Sequence, residues 1–473
     1  MIPRIRIAAL LLLLGTLPAP ATAASSPATS SAADQTGVAL TIYNDNLGLV
    51  KDRRTITLPV GEGELRFMDV AAQIIPASLS FRSLDAPDAL RILEQNYEYD
   101  LLNQQKLLDK YVGKEVKLYQ KNPYTEREEA VTATIVANNG GPIFRIGNDI
   151  TFGHPGRILF PGIPADLIAK PTLVWLLDNG RKGPQQVEAA YLTAGMSWRA
   201  DYVLTLNKDD DRADLASWVT IDNKSGATYR DARLKLVAGS VNRVREEPPF
   251  PERRAALAMV AAPQFREESF FEYHLYTLQR PATVKDNQTK QISLASATDI
   301  PVRKEFVLKG EESYYHAPYG DTQANRKVGV YVELENRKDR GLGMPLPKGT
   351  VRVYKHDGDG SLQFVGEDAI DHTPRDEKVR IKLGDAFDVV ATRKQTEWKK
   401  IASDSYEAAF ELSLRNHKDE DITVKVVEPV PGDWTMLSSS LPYQKGSAFS
   451  AEFRVPVKKD GEATLAYRVR MRY

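Results

Sequence analysis

The chain has 473 residues, and its 63 Lys and Arg are matched by 63 Asp and Glu, so the formal charge is zero. That balance gives no electrostatic reason to expect nucleic acid or an anionic membrane surface as partner. Cys is absent, which excludes disulfides, thiolate metal sites and cysteine nucleophiles, while 42% hydrophobic and 8% aromatic residues suffice for large cores.

The chain opens with the three parts of an export signal. Arg4 and Arg6 form a basic start, Ile7 to Leu14 an apolar run, and Ala21-Thr22-Ala23 a small-residue cleavage site. The apolar run is too short for a membrane span, which needs about 20 residues. Residues 1–23 are therefore expected to be a cleaved signal peptide and 24–36 a flexible Ala/Ser/Thr tether. No later segment is apolar enough for a transmembrane helix. The expected location is the periplasm or the cell exterior.

Beyond the tether, strands dominate. Val38, Leu40 and Ile42 alternate with polar residues and run into the Asn44-Asp45-Asn46 turn. Leu49–Leu58, Leu65–Val70, Leu79–Leu84 and Leu90–Tyr99 continue the series. One helix stands out at Leu101–Val112, with Leu101, Leu102, Leu107, Leu108 and Tyr111 on one face and Gly113 as its stop. Glu115–Gln120, Ala130–Ala137 and Ile143–Ile146 then suggest a small barrel-like unit. From Pro171 the pattern is antiparallel β, with strands expected at Thr172–Leu177, Gln186–Leu192, Ala200–Leu206, Ala213–Ile221 and Ala232–Leu236. A Pro- and Ala-rich stretch, Glu246–Gln264, interrupts it as an exposed excursion or a short helix near Ala255. Strands resume at Phe270–Thr277, Lys290–Leu294, Val302–Leu308 and Val328–Leu334.

The fold class is mainly β and multidomain: antiparallel sheets, a C-terminal Ig-like β-sandwich, and one short helix in the N-terminal half. The expected domains are 37–170, with the barrel-like unit; 171–384, a central antiparallel domain; and 385–473, the sandwich. In the last strand Leu465, Tyr467, Val469 and Met471 alternate with Arg468, Arg470 and Arg472. That pattern suits a sandwich strand with the arginines in water. It is also the dyad pattern of an outer-membrane barrel strand, so outer-membrane association stays open as an alternative.

The chemistry-bearing motifs are few. There is no GxSxG, HExxH, phosphate-binding glycine loop or dinucleotide fingerprint. The 6 His are scattered, with no chelating pair. No catalytic residue, cofactor or metal is assigned. Asp209 and Asp211 in one acidic turn, and Asp357 and Asp359 in another, are partial calcium loops; they equally suit hairpin turns. Trp198, Arg199, Asp201 and Tyr202 set an aromatic beside hydrogen-bonding side chains, a pattern that suits carbohydrate. On a strand Trp198, Ala200 and Tyr202 would share the core face instead, with Arg199 and Asp201 on the other. The candidate ligand contacts are Trp198, Arg199 and Asp201, with His372 and Arg375 on the loop from Asp371 to Lys378.

Several motifs together resemble the family called domain of unknown function 4139. They are Tyr191-Leu192-Thr193 with Ser197 to Tyr202, Asn223 with Ser225-Gly226, and Leu236-Val237-Ala238-Gly239. To these add Leu346-Pro347-Lys348-Gly349, Arg352-Val353-Tyr354, His372-Thr373-Pro374, Gly384 to Asp388, Asn416-His417-Lys418 and Pro431 to Trp434. The resemblance runs from about Val38 to the end. It implies an exported bacterial β-rich protein, with mucoidy-inhibitor-like relatives and hence a link to the cell envelope. It carries over no catalytic residues. The expected function is non-enzymatic binding or scaffolding of an envelope protein or polysaccharide through loops of the β domains. A hydrolase of cell-surface glycan or peptide working through paired carboxylates is the alternative.

Overall fold

The structure, a computed structural model, describes residues 27–121, 128–153, 156–164, 167–239, 265–270, 272–318 and 323–473. The export signal and the whole Glu246–Gln264 stretch, with Ala255, lie outside the described residues. The chain divides into two compact units, each built from separated stretches of sequence.

The first unit takes residues up to 36, 53–70 and 81–188. Its four-stranded sheet runs Ala28–Ser30, Gly61–Met68, Thr172–Asn179, Leu90–Glu98, with the first pair parallel. Phe81 stacks on the fully buried Trp175 at 4.2 Å, and the buried Arg54 guanidinium covers Phe67 at 3.5 Å while donating to the Met68 carbonyl. A five-stranded antiparallel sheet packs around Leu118, Ile135 and Phe144. The helix is shorter than its apolar pattern suggests, Gln104–Lys110, because Asn103 caps it by accepting from the Lys106 N–H at 2.9 Å. Leu101 is left in a β-bridge with Ile168.

The second unit takes 37–52, 71–80 and 189–473. Its main sheet runs in the order Leu362–Ile370, Gly349–His356, Met196–Leu206, Arg212–Asn223, Gln288–Lys309, Gln323–Glu335, Lys378–Lys400, Ser405–Asn416, Gly461–Arg472, Asp433–Ser439. The 349–356 and 196–206 strands are parallel, and the other pairs along this path are antiparallel. The sheet curls until its edge comes back beside the 378–400 strand. There the Asp368 carboxylate accepts from the Lys382 N–H at 2.8 Å, and a Cβ on Gly366 would collide with the Leu383 carbonyl oxygen. Tyr202, Leu204, Ile300, Val332, Val353 and Ile381 fill the inside of this curl.

Beyond it, Ile422–Pro429, Ser450–Val457 and Tyr443–Ser447 form the facing layer of a C-terminal β-sandwich over Phe410, Leu412, Phe453 and Val455. The last strand sends Leu465, Tyr467, Val469 and Met471 into that core. Its arginines are not simply solvated: Arg470 makes two hydrogen bonds, at 2.9 and 2.6 Å, to the buried Glu407.

Two strand expectations change. Phe270–Thr277 is a hairpin of Phe265–Phe270 and Tyr273–Leu278, and 290–294 with 302–308 is a single strand of 22 residues. Its ladder to the 212–223 strand slips register twice between Ser293 and Ile300, so the alternation breaks between the two expected strands. Among the described residues no helix is long and apolar enough to cross a membrane.

Candidate functional site

An open cavity of about 570 Å³ lies at one end of the curled sheet of the second unit. It is lined by residues from separated segments: Asn44 and Asp45, Trp198 and Arg199, Gly239, Lys348 to Thr350, and Ala369 with Asp371 and His372. The volume falls in the range of about 300–1,000 Å³ usual for ligand sites.

Hydrogen bonds to backbone fix these segments. Asn44, in the turn after the 35–43 strand, donates from Nδ2 to the Trp198 carbonyl at 3.0 Å. The next turn residue but one, Asn46, accepts from the Gly195 N–H at 2.8 Å. Trp198 is 2% exposed and donates from Nε1 to the Val237 carbonyl at 3.0 Å, its ring edge-on to Tyr276. Two buried tyrosines then hold the 345–349 segment: Tyr276 donates to the Pro345 carbonyl at 2.9 Å and Tyr202 to the Pro347 carbonyl at 2.7 Å. Burial pushes both phenols up, so they stay protonated donors. At Gly349 a Cβ would collide with the Ala200 carbonyl oxygen, so glycine alone permits the parallel pairing there.

The opposite wall is two loops, 343–349 and 371–374, clamped at three points. Leu346 and Thr373 exchange backbone hydrogen bonds at 2.8 and 2.9 Å. The fully buried Asn336 donates to the Met344 and Pro374 carbonyls, both at 2.8 Å, and accepts from the Gly343 N–H at 3.0 Å. His372 Nδ1 accepts from the Lys348 N–H at 3.1 Å. That contact requires a neutral ring with its proton on Nε2. Desolvation, then the nearby Lys348, lower the His372 pKa in keeping with it.

The cavity therefore presents the Arg199 and Lys348 cations, the Asp45 and Asp371 carboxylates, and the His372 Nε2–H donor. Arg199 is itself steadied by Asp222 at 2.8 Å and Asp201 at 3.5 Å. Lys348 reaches Asp371 only at 3.9 Å.

Of the residues the sequence singled out, Trp198, Arg199 and His372 meet at this cavity. Trp198 contributes an edge of core rather than a stacking platform. Asp201 lies behind it on the other face of the strand, 5% exposed, accepting from Thr220 at 2.6 Å and Arg352 at 3.2 Å. Arg375 is exposed on the same loop as His372 and is not part of the lining. Asp211 binds the Asn207 amide at 2.7 Å; Asp209 lines a separate surface hollow. Asp357 and Asp359 accept backbone N–H groups within their own hairpin turn, including Ser361 N–H at 2.9 Å from each. Among the described residues no three His, Asp or Glu converge as metal ligands would. Asn44, Asp45, Asn336 and Thr350 were not foreseen as site residues. No local signal marks them, since Asn and Asp are ordinary turn residues.

The chain belongs to a family described as a domain of unknown function (DUF4139), whose model matches residues 187–473. No curated protein shows significant similarity to it. Four of the motifs that carry the family resemblance meet at the cavity: 197–202, 236–239, 346–349 and 372–374.

Proposed function

We propose that this member of the domain-of-unknown-function family DUF4139 is an exported, non-catalytic binding protein of the bacterial cell envelope. Its ligand is an uncharged segment of surface polysaccharide, held in the cavity between Asn44 and His372. The observation that carries this reading is the lining itself: Asp222 already holds Arg199 and Lys348 lies 3.9 Å from Asp371, so donors and acceptors of both kinds surround a space of about 570 Å³. Neutral polyhydroxylated rings match such a surface, because each hydroxyl both donates and accepts. Catalysis by paired carboxylates has less support: Asp371 is 95% exposed at the rim, and the aromatic ring nearest the cavity is turned into the core. Export rests on the basic, apolar and Ala21-Thr22-Ala23 segments of the N-terminal sequence.

The test is titration of the purified protein with neutral polysaccharide fractions from the envelope, alongside Lys348→Glu and Arg199→Glu. Binding by the unmodified chain, weakened at least about tenfold in either variant, is expected. Binding that both variants retain would place the ligand elsewhere. Mass spectrometry of the exported fraction should find an N-terminus near Ala24, and an intact Met1 there would overturn the export assignment.

A further inference from the structure

Phe387 is 95% exposed, the most exposed large apolar side chain among the described residues. Its position has a backbone cause. In the ladder between the 323–335 and 378–400 strands, Gly329 pairs with Asp385 and Lys327 with Val390, so residues 386–389 face Val328 alone. A bulge of that size takes the chain out of the sheet and re-aims its side chains. Nothing in the fold of this unit requires a phenylalanine at its tip.

Beside the bulge lies a second cavity, of about 290 Å³, walled by Leu206, Phe306, Val330, Val332, Val365 and Leu383. Its size suits one aromatic side chain better than a ligand molecule. Phe387 stands at its rim without filling it. Asp210, Asp385 and Asp388 line it together with Lys304, Lys355 and Lys418. Lys382 and Lys327 already hold Asp385, at 3.3 and 3.6 Å. Asp210 neutralises Lys304 and Lys355 at 2.7 and 2.5 Å, but Lys418 reaches Glu420 only at 3.6 Å. The Asp388 carboxylate has no hydrogen-bond or ion-pair partner among the described residues.

We propose that this face pairs with a second copy of the chain about a two-fold axis, the Phe387 of each copy entering the apolar cavity of the other. Asp388 of each copy then meets Lys418 of the other. Because knob and hole adjoin on one face, a single two-fold rotation engages both, which makes the contact isologous and closed. One aromatic per side makes a small interface, so the dimer is a weak, concentration-dependent one. It leaves the polysaccharide-binding proposal untouched, since the two cavities share no lining residue.

Sedimentation velocity over a broad concentration range tests this on the mature chain. A monomer–dimer equilibrium is expected, weakened at least about tenfold by Phe387→Ser, whose exposed site leaves the melting temperature unchanged. Asp388→Lys alone should also weaken it, and Asp388→Lys with Lys418→Asp in the same chain should restore it. A chain that stays monomeric throughout, an association indifferent to Phe387→Ser, or growth past the dimer would each overturn the proposal.

Discussion

The Lys348 N–H donates to Nδ1 of His372 at 3.1 Å, and this bond joins the two loops that together form one wall of the candidate cavity. A protonated imidazole has a hydrogen on both nitrogens and could not accept it. Folding therefore favours the neutral ring, and the pKa of His372 lies below its ordinary value near 6.5.

A lowered pKa fixes the sign of the pH dependence. Below about pH 6.5 the unfolded chain takes up a proton at this residue before the folded one does, so stability falls with pH down to the folded pKa. Ligand affinity should fall as the pH drops through the folded pKa itself, where the ring gains its second proton and the loop loosens. NMR titration of the His372 ring should give a midpoint below that of a model histidine, and His372→Ala should flatten this part of the profile. A midpoint at or above 6.5 would contradict the assigned tautomer.

Asn336 is the second loop clamp and touches no ligand. Asn336→Ala leaves the Met344 and Pro374 carbonyls and the Gly343 N–H without their partner, at a cost of about 1–3 kcal/mol. Urea unfolding should register that loss. Polysaccharide affinity should fall with it, because the 346–349 and 371–374 segments lose their common anchor.

In the sandwich, Arg393 and Glu428 form a buried ion pair, with side chains 3% and 0% exposed. Tyr315 donates to the same carboxylate at 2.8 Å and is itself 2.7 Å from the Tyr467 hydroxyl. Glu428→Gln leaves the guanidinium buried without its counter-charge and should cost about 3–5 kcal/mol. The double variant Arg393→Met with Glu428→Leu should cost less than Glu428→Gln alone, since no uncompensated charge is left. Thermal melts of the three proteins decide the point.

The last strand makes a graded prediction. Val469→Ala should open a core cavity and cost about 1–3 kcal/mol. Arg470→Ala is not neutral, as simple solvation of its side chain would have made it. It removes two hydrogen bonds from Glu407, at a cost of about 0.5–1 kcal/mol after allowance for its half-exposed position. Chemical denaturation should rank Val469→Ala below Arg470→Ala in stability.

Period-two alternation made the β character and the last strand's buried face legible, because each of those strands serves one core. It failed on the 288–309 strand, whose ladder to the 212–223 strand slips register twice between Ser293 and Ile300. It could not show that 37–52 and 71–80 join the second unit, because non-local pairing leaves no mark on local pattern. Trp198, Arg199 and His372 were legible as an aromatic, a cation and a histidine in polar surroundings. Asn44 and Asn336 were not, since a loop-holding asparagine looks like any turn residue until its carbonyl partners are known. Phe387 was hidden for a related reason: only the ladder register shows that it sits on a bulge.

Hydrogen–deuterium exchange with and without neutral envelope polysaccharide tests the central claim most directly. Binding in the cavity predicts slowed exchange at 43–46, 197–199, 346–350 and 369–373, with the 386–389 bulge unchanged. Polysaccharide that binds while those four segments exchange as before would contradict it.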